Sequence, residues 1–379
     1  MEHKREEAVS ILKSCFGVNG LWASGKDGRY QYQCWTRDPC LAIFAALILL
    51  KDSLENVNEL IYRHFNGIIK HQRDDGKIPI IFLDDEDEFV RLKRIQQEKN
   101  KKIPFMLRRY LEGEITNLTP KTRDSEVLFI ISANDFLSSL SEGEKSKLSN
   151  FEEFETSLEN AMKKAMQYIE EIATDVSPKK DGLIKGADWR DVRDDLDDIP
   201  VLTNACFLYK CYKIMGNEEK AEEIKRTINE KYWNANIGHY NDHPESNSFG
   251  LLGNAVAVLY GIADVERINS VFDYAMKIST EHGIKTTETF LPPLNDEEAK
   301  VMARDKAVIW PFTNGFMLEA MLMKGGDKWK EVAKKEFNKW VKLEGFNEWY
   351  DIVDGKGYGS KNQAWSAALY IRVAELLKE

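Results

Sequence analysis

Cysteine, long apolar stretches and positive charge are all scarce in this sequence, and each shortage excludes a class of protein. The five cysteines among 379 residues stand at irregular spacings without a Cys-x-x-Cys pair, so neither a disulfide framework nor a zinc site is predicted. The longest apolar run, residues 40–50, is too short to cross a bilayer. A formal charge of −10 argues against nucleic-acid partners and anionic membrane surfaces, because both attract concentrated basic residues.

Several cofactor and targeting motifs are also missing. The sequence has no phosphate-binding loop, no dinucleotide fingerprint and no Gly-x-Ser-x-Gly, which weakens the kinase, dehydrogenase and serine-hydrolase interpretations. Its histidines form no metal-ligand spacing, so neither a metal nor an organic cofactor is predicted. Residues 1–7 are charged and contain no apolar signal core, so we expect a cytoplasmic protein.

Helical periodicity, in contrast, is abundant, and two kinds of helix alternate along the chain. The first kind is apolar and rich in small residues, which is typical of buried helices: 38–50, 124–140, 200–215, 249–262, 310–323 and 362–377. The second kind has a charged face: 6–16, 54–71, 154–174, 218–233, 264–280 and 327–343. Six helices of each kind predict an all-α fold, an (α/α)6 barrel of six helical hairpins in one domain over residues 1–379. Residues 84–114 are densely charged and are predicted to be an insertion.

Polar residues stand immediately before each predicted inner helix. These segments contain acids, amides, arginines and tryptophans: 32–38, 121–126, 186–191, 245–249, 307–310 and 358–363. In a barrel of helical hairpins, the loops that enter the inner helices meet at one end of the ring. We therefore expect one polar site at that end. Its residue types suit a sugar, which needs hydrogen-bonding partners for its hydroxyls and flat rings for stacking.

Glycoside hydrolysis requires two carboxyl groups on opposite sides of the bond that is cut. We predict Glu348 as the general base, because it lies between Asn347 and Trp349 ahead of a glycine-rich turn. We predict Asp191 as the general acid, since apolar neighbours can keep a carboxyl protonated near neutral pH. Asp188 is the alternative acid, and for both aspartates a non-catalytic role in sugar binding or helix capping stays open.

The other candidates for sugar contacts come from the same edge. Arg37 and Asp38 are predicted to bind hydroxyls, although Asp38 before Pro39 also fits a helix N-cap. Asp124 has the same two interpretations, and Asn204, which lies in an apolar helix, requires a hydrogen-bond partner. The predicted substrate-binding set is Trp35, Arg37, Asp38, Asp124, Asp188, Trp189, Arg193, Asn204, Trp310, Gln363 and Trp365.

Several of these segments resemble motifs of the six-hairpin glycosidases. The similar segments are 35–38 (Trp-Thr-Arg-Asp), 75–79 (Asp-Gly-Lys-Ile-Pro), 123–130, 189–191 (Trp-Arg-Asp), 200–205 and 348–366. The resemblance is closest to the catalytic domain of amylo-alpha-1,6-glucosidases of the glycogen-debranching type, with glucoamylases, trehalases and neutral/alkaline invertases as near neighbours. Thr203 stands in place of the usual glutamate there, and Leu202 in place of the usual hydrophobic residue. The resemblance implies an inverting mechanism in which Asp191 is the acid and Glu348 the base.

We therefore predict an inverting, exo-acting glycoside hydrolase that acts on a small α-glucoside or oligosaccharide. A disaccharide hydrolase similar to neutral invertase or trehalase is the alternative within hydrolases. A sugar epimerase or isomerase would use paired histidines, which the inner-helix edge lacks, and a non-catalytic sugar-binding barrel is the third alternative. The predicted partner is a small carbohydrate, with no nucleic acid and no membrane; an oligomer is allowed but not indicated.

Overall fold

The computed structural model describes residues 2–83, 122–173, 182–191, 193–287, 296–305 and 307–378. The charged insertion predicted at 84–114 lies outside these residues. Within the described ranges, no helix combines the length and the apolar character needed to cross a membrane.

Helices dominate the described residues, as the periodicity predicts. In chain order the α-helices are α1 (Glu2–Ser14), α2 (Phe44–Leu49), α3 (Val57–Lys70), α4 (Asp124–Ser139), α5 (Glu142–Lys145), α6 (Phe151–Tyr168), α7 (Leu202–Ile214), α8 (Glu218–Lys231), α9 (Leu251–Leu259), α10 (Val265–Lys277), α11 (Asp296–Asp305), α12 (Pro311–Lys324), α13 (Gly326–Lys342) and α14 (Ala364–Leu376). A π-helical turn, Pro39–Ile43, leads directly into α2, and a second, Ile169–Ala173, extends α6. Asp194–Leu196 forms a 3-10 turn ahead of α7.

Burial divides the long helices into an inner and an outer set. Helix α9 buries every residue from Leu251 to Val258, whereas α8 buries only Ala221, Ile224 and Ile228 along one stripe. The inner helices α2, α4, α7, α9, α12 and α14 pack side by side, and α14 closes the ring against α2 and its π-helical turn. Helices α1, α3, α6, α8, α10 and α13 lie outside them. The predicted (α/α)6 barrel is therefore confirmed.

Two glycines permit the close approach of neighbouring inner helices. A Cβ atom at Gly315 of α12 would lie 2.6 Å from the Cβ of Leu369 in α14. A Cβ atom at Gly253 of α9 would lie 2.9 Å from side-chain atoms of Leu202 in α7. Larger residues would push these helices apart, at a cost of about 1–3 kcal/mol for overpacking. The two positions thus set how tightly the inner ring closes.

Short strand pairs and single bridges join the loops that enter the inner helices. The antiparallel pairs are β1 (Gln33–Trp35) with β2 (Ile81–Leu83), β3 (Trp233–Asn234) with β4 (His239–Tyr240), and β5 (Trp349–Tyr350) with β6 (Gly357–Tyr358). Single bridges connect Thr122 with Ala187, Gly186 with Pro200, Ile309 with Tyr350, and Ser24 with Gln363. Because these bridges run from one loop to the next, they hold the segments with the predicted site residues beside one another.

Candidate active site

Arg37 lies just before the first inner helix and forms ion pairs with three carboxylates. Its two Nη atoms lie 3.1 and 3.0 Å from Asp191 Oδ2. Nη1 lies 3.5 Å from Asp124 Oδ2, and Nε lies 3.8 Å from Asp38 Oδ2. The three aspartates come from the loops or first turns of three different hairpins, so barrel closure brings four predicted site residues together. We call these four residues the Arg37 cluster.

Asp38 and Asp124 make no helix-capping hydrogen bond. Asp38 has helical backbone angles, φ −59° and ψ −51°, and its side chain caps nothing. Asp124 is the first residue of α4, and the cap position before it, Arg123, has no side-chain cap bond either. The capping interpretation that the sequence left open for both aspartates is therefore wrong in this structure, because their carboxyl groups face Arg37 instead.

Burial and mutual repulsion change the proton affinity of this cluster. Burial raises the pKa of Asp38 to about 7; Arg37 opposes the rise, and the charges of Glu348 and Asp191 add to it. Burial likewise raises the pKa of Asp124 to about 7 against the effect of Arg37. Carboxyl groups perturbed by burial and by like charges are enriched at functional sites. The charges of Glu348 and Asp191 both raise the pKa of Asp38, so the two predicted catalytic residues lie near enough to affect one buried carboxyl group.

The Glu348 carboxylate immediately precedes β5, is buried, and is held at both oxygens. Oε2 accepts a hydrogen bond from the backbone N–H of Ser360 at 2.8 Å and lies 3.6 Å from Arg29 Nη1. Oε1 accepts a hydrogen bond from the Tyr30 hydroxyl at 3.2 Å. Burial raises the pKa of Glu348, while Arg29 and the Ser360 and Tyr30 donors oppose the rise. The carboxylate is therefore fixed in orientation and able to take up a proton above its ordinary pH range.

Asp188, the alternative acid, lies in a saturated ion pair. Arg190 donates to both of its oxygens, from Nε at 2.8 Å and from Nη2 at 3.0 Å. The same guanidinium donates to both oxygens of Asp242, at 2.7 and 3.0 Å. Asp188 is fully buried, so Arg190 occupies the carboxylate that would serve as a proton donor or bind hydroxyls. We call these three residues the Arg190 cluster.

The four predicted tryptophans are all buried, and three of them form a chain of ring contacts with Phe312. Trp189 contacts Trp310 edge to face with ring centroids 5.1 Å apart, and it contacts Phe312 at 5.0 Å. Trp365 stacks on Phe312 with ring centroids 4.1 Å apart. Trp35 stands apart from this group, where its ring lies 5.5 Å from the Arg37 guanidinium. Stacking of a sugar on any of these rings stays a prediction.

Several predicted site residues carry a buried polar atom without a hydrogen-bond partner. Six of the sixteen such atoms among the described residues belong to this set: Arg37 Nε, Asp124 Oδ1, Asn204 Oδ1, Gln363 Oε1, Trp310 Nε1 and Trp365 Nε1. Gln363 also donates a hydrogen bond through Nε2 to Asp38 Oδ1 at 3.4 Å, which connects the last inner helix to the first. Each unpaired buried polar group in a native structure calls for an explanation. These six residues lie at or near the starts of the inner helices.

Asn204 and Arg193 lie in different surroundings from the Arg37 cluster. The Asn204 side-chain amide donates to the carbonyl oxygens of Gly186 and Ala187, at 3.0 and 3.2 Å. It thereby anchors the segment that leads to Asp191. Arg193 pairs with the exposed Asp195, with Nε 2.6 Å from Oδ1. A direct contact of either residue with a sugar stays a prediction.

Sequence reasoning missed four residues that shape the site. Arg29, Tyr30 and Ser360 hold Glu348, and Asp242 completes the Arg190 cluster. Arg29 and Tyr30 follow a glycine-containing turn, 25–28, in the loop ahead of the first inner helix. That placement was the available signal for them. Asp242 had no comparable signal, because it lies 52 residues from Arg190.

No group of three or more histidine, cysteine or carboxylate side chains within the described part of the chain is arranged to hold a metal ion. The acidic side chains of the site are held by protein donors from other loops: Arg37 binds Asp191, and the Ser360 N–H donates to Glu348.

Comparisons with known proteins agree with the fold. No family model and no curated protein matches the sequence. Among solved structures, the GH63 mannosylglycerate hydrolase from Thermus thermophilus in complex with glucose is 15% identical, with a TM-score of 0.62 over 97% of this chain and 99% of that one. Glucoamylase from Saccharomycopsis fibuligera is 11% identical, with a TM-score of 0.66 over 100% of this chain and 94% of that one.

These likenesses confirm the fold that the motifs led us to expect, because this chain shares its helical barrel with both neighbours. The closer tie to amylo-alpha-1,6-glucosidases stays a prediction. At such low identities the neighbours carry an argument about the fold and not about the substrate.

Proposed function

We propose that this protein is an inverting, exo-acting glycoside hydrolase that acts on a small α-glucoside or oligosaccharide. One observation carries the proposal. Asp191 and Glu348, from loops more than 150 residues apart, both act on the buried Asp38 carboxyl. Residues that begin or immediately precede inner helices at the same end of the barrel, Arg37, Asp124, Trp310, Gln363 and Trp365, each carry a buried polar atom without a hydrogen-bond partner. Two carboxyl groups near one polar site are what glycoside hydrolysis requires.

In the proposed reaction, Asp191 donates its proton to the glycosidic oxygen as the bond to the anomeric carbon breaks. Glu348 removes a proton from the water that attacks the opposite face of that carbon. The products are a free sugar with inverted anomeric configuration and the leaving alcohol. The proton gained by Glu348 and the one lost by Asp191 then exchange with solvent, which restores both groups.

The two carboxylates differ in their hydrogen bonds. Arg37 engages only Oδ2 of Asp191, and among the described residues no hydrogen bond reaches Oδ1, so in the proposal Oδ1 is the oxygen that faces the substrate. Glu348 needs to be ionised to act as a base. The Ser360 N–H, the Tyr30 hydroxyl and the Arg29 guanidinium all stabilise that ionised form.

The names of the two structural neighbours give further support at the level of the reaction class. One is named as a mannosylglycerate hydrolase and the other as a glucoamylase. Both names describe cleavage of a glycosidic bond, although they differ in the sugar and in the group to which it is joined. A substrate panel therefore needs to extend beyond glucosides.

The test is a panel of α-linked disaccharides that includes maltose, isomaltose, sucrose and trehalose, together with mannosylglycerate, with the product anomer followed by proton NMR. Release of the β-anomer from an α-linked substrate supports the proposal, whereas the α-anomer overturns inversion. The control is the Asp191→Asn/Glu348→Gln double variant, which should release no sugar. Cleavage of sucrose or trehalose alone would favour the disaccharide-hydrolase alternative, and binding without any cleavage would favour the sugar-binding one.

A further inference from the structure

Helix α11 is tied by three ion pairs to the segments that hold Glu348. Glu297 Oε1 lies 2.6 Å from Lys356 Nζ, and Arg304 pairs with Asp351. Both partners belong to the β5–β6 region that follows Glu348. The third pair joins Glu298 Oε1 to Arg29 Nη2 at 3.5 Å. Of these, only the Glu298 pair leads to a group that itself contacts the Glu348 carboxylate.

Arg29 lies between two buried carboxylates. Its Nη1 atom is 3.6 Å from Glu348 Oε2 and its Nη2 atom is 3.5 Å from Glu298 Oε1. The backbone N–H of Arg29 donates to Ser360 Oγ at 3.0 Å, and the Ser360 N–H donates to Glu348 Oε2 at 2.8 Å. The backbone of Arg29 is thus fixed to the turn that binds Glu348, and the end of its side chain is held by Glu298.

We propose that Glu298 is a positioning residue that acts through Arg29 to orient the Glu348 carboxylate. The inference rests on the proposed function, since it assigns a role for the base of that reaction. The Arg29 side chain is about one-quarter exposed and has many rotamers. Glu298, of which only 4% is exposed, selects the rotamer that keeps the guanidinium beside Glu348. Without Glu298 the guanidinium turns toward water, and Glu348 loses its closest positive charge.

The two electrostatic consequences of removing Glu298 have opposite signs, which makes the proposal testable. The groups that face Glu348 are Arg29, Tyr30, Asp38 and Glu298. The Glu298 charge itself raises the pKa of Glu348, whereas Arg29 lowers it. If Glu298 acted only as a like charge, its removal would lower the pKa of Glu348. If it holds Arg29 in place, its removal raises that pKa, because Arg29 is the larger of the two effects.

The decisive experiment compares Glu298→Gln with Glu297→Gln in the full-length protein. Glu297 is the preceding residue on α11, is exposed, and pairs with Lys356 instead of Arg29. The Glu348 titration is followed by the 13C shift of its carboxyl carbon and is assigned by its absence in Glu348→Gln. We expect Glu298→Gln to raise the pKa of Glu348 and to lower kcat by about 10- to 100-fold, as misplaced catalytic groups do. Glu297→Gln should leave both values unchanged.

Two further measurements separate the possible outcomes. Adding Glu298→Gln to Arg29→Met should cause no further loss of kcat, because the effects of residues that act through one another are not additive. A lowered or unchanged pKa of Glu348 in Glu298→Gln overturns the proposal, provided that circular dichroism shows the native fold. If the wild type cleaves no substrate, the proposed function fails, and the NMR titration still decides whether Glu298 positions Arg29.

Discussion

Two arginine–carboxylate clusters each take one aspartate from residues 188–191, and they differ in how completely their polar atoms are paired. In the Arg190 cluster, every guanidinium nitrogen is bonded, and both Asp188 and Asp242 use both oxygens at 2.7–3.0 Å. In the Arg37 cluster, three carboxylates share one guanidinium at 3.0–3.8 Å. There, Arg37 Nε and Asp124 Oδ1 are buried without a hydrogen-bond partner.

The difference in pairing distinguishes a structural ion pair from a cluster that can bind a ligand. A saturated buried pair has no capacity left for a ligand, and breaking it leaves an uncompensated charge. An under-paired cluster carries a cost in the free protein, which a ligand with its own donors and acceptors can remove. Asp188 and Asp191 stand three residues apart in the sequence, and their different pairing assigns them to these two classes.

The largest effect is expected when Asp191, the proposed acid in the Arg37 cluster, is replaced. Asp191→Asn should lower kcat by about 10²–10⁴-fold on substrates with poor leaving groups, the usual contribution of a general acid. The same variant should lose much less activity on a glycosyl fluoride, whose leaving group needs no proton. Steady-state kinetics on both substrates measure the difference. An equal loss on both substrates would contradict the role of Asp191 as the acid.

The next effect concerns stability, and it comes from the Arg190 cluster. Arg190→Met leaves the buried Asp188 and Asp242 without a counter-charge and should lower the free energy of unfolding by about 3–5 kcal/mol. Urea denaturation measures this. Arg193→Met is the matched control, because Arg193 also pairs with an aspartate two residues away, but Asp195 is exposed; its cost should be about 0–1 kcal/mol. Equal losses would remove the distinction between the clusters.

A third test asks whether the Arg37 cluster lowers the free energy of unfolding. The pKa of Asp38 is raised from 3.8 to about 7 in the folded protein, so the folded state binds its proton more tightly than the unfolded chain does. Stability therefore falls as the pH rises from about 4 to about 7. Asp38→Asn should remove this loss and stabilise the protein by about 0.5–2 kcal/mol at about pH 8, with no gain at about pH 4. Thermal unfolding at the two pH values measures it.

The fold and the end of the barrel that carries the polar residues could be predicted from the sequence, because both depend on helical periodicity and chain connectivity. Alternating apolar and charged-face helices predict the barrel, and barrel topology places Arg37, Asp124 and Asp191 at one end. Pairing within that end was not predictable, because it depends on side-chain directions. Arg190 pairs with Asp188, two residues before it in the chain, and also with Asp242 in another loop. No local sequence pattern distinguishes Asp188, which is bound by this arginine, from Asp191. Tyr30 and Arg29 were missed for the same reason, since their partner lies more than 300 residues away.

The smallest expected effect concerns Glu348, whose pairing resembles that of the structural carboxylate Asp188. Glu348, like Asp188, is bonded at both oxygens, yet it is assigned to the site because its partners include a neutral hydroxyl and an arginine at 3.6 Å.

Tyr30→Phe removes the hydroxyl that stabilises the ionised carboxylate. The pKa of Glu348 should rise further, so the acid limb of kcat/KM moves to higher pH, because the base is lost by protonation as the pH falls. A lost hydrogen bond of about 1 kcal/mol corresponds to a roughly fivefold decrease in kcat/KM at a pH below this limb. Tyr32→Phe, which loses its hydroxyl at a ring that packs on Trp22, should leave the limb in place. An unshifted limb in Tyr30→Phe would mean that the Glu348 carboxylate is held as firmly as Asp188, and that its hydrogen bonds belong to the fold instead of the reaction.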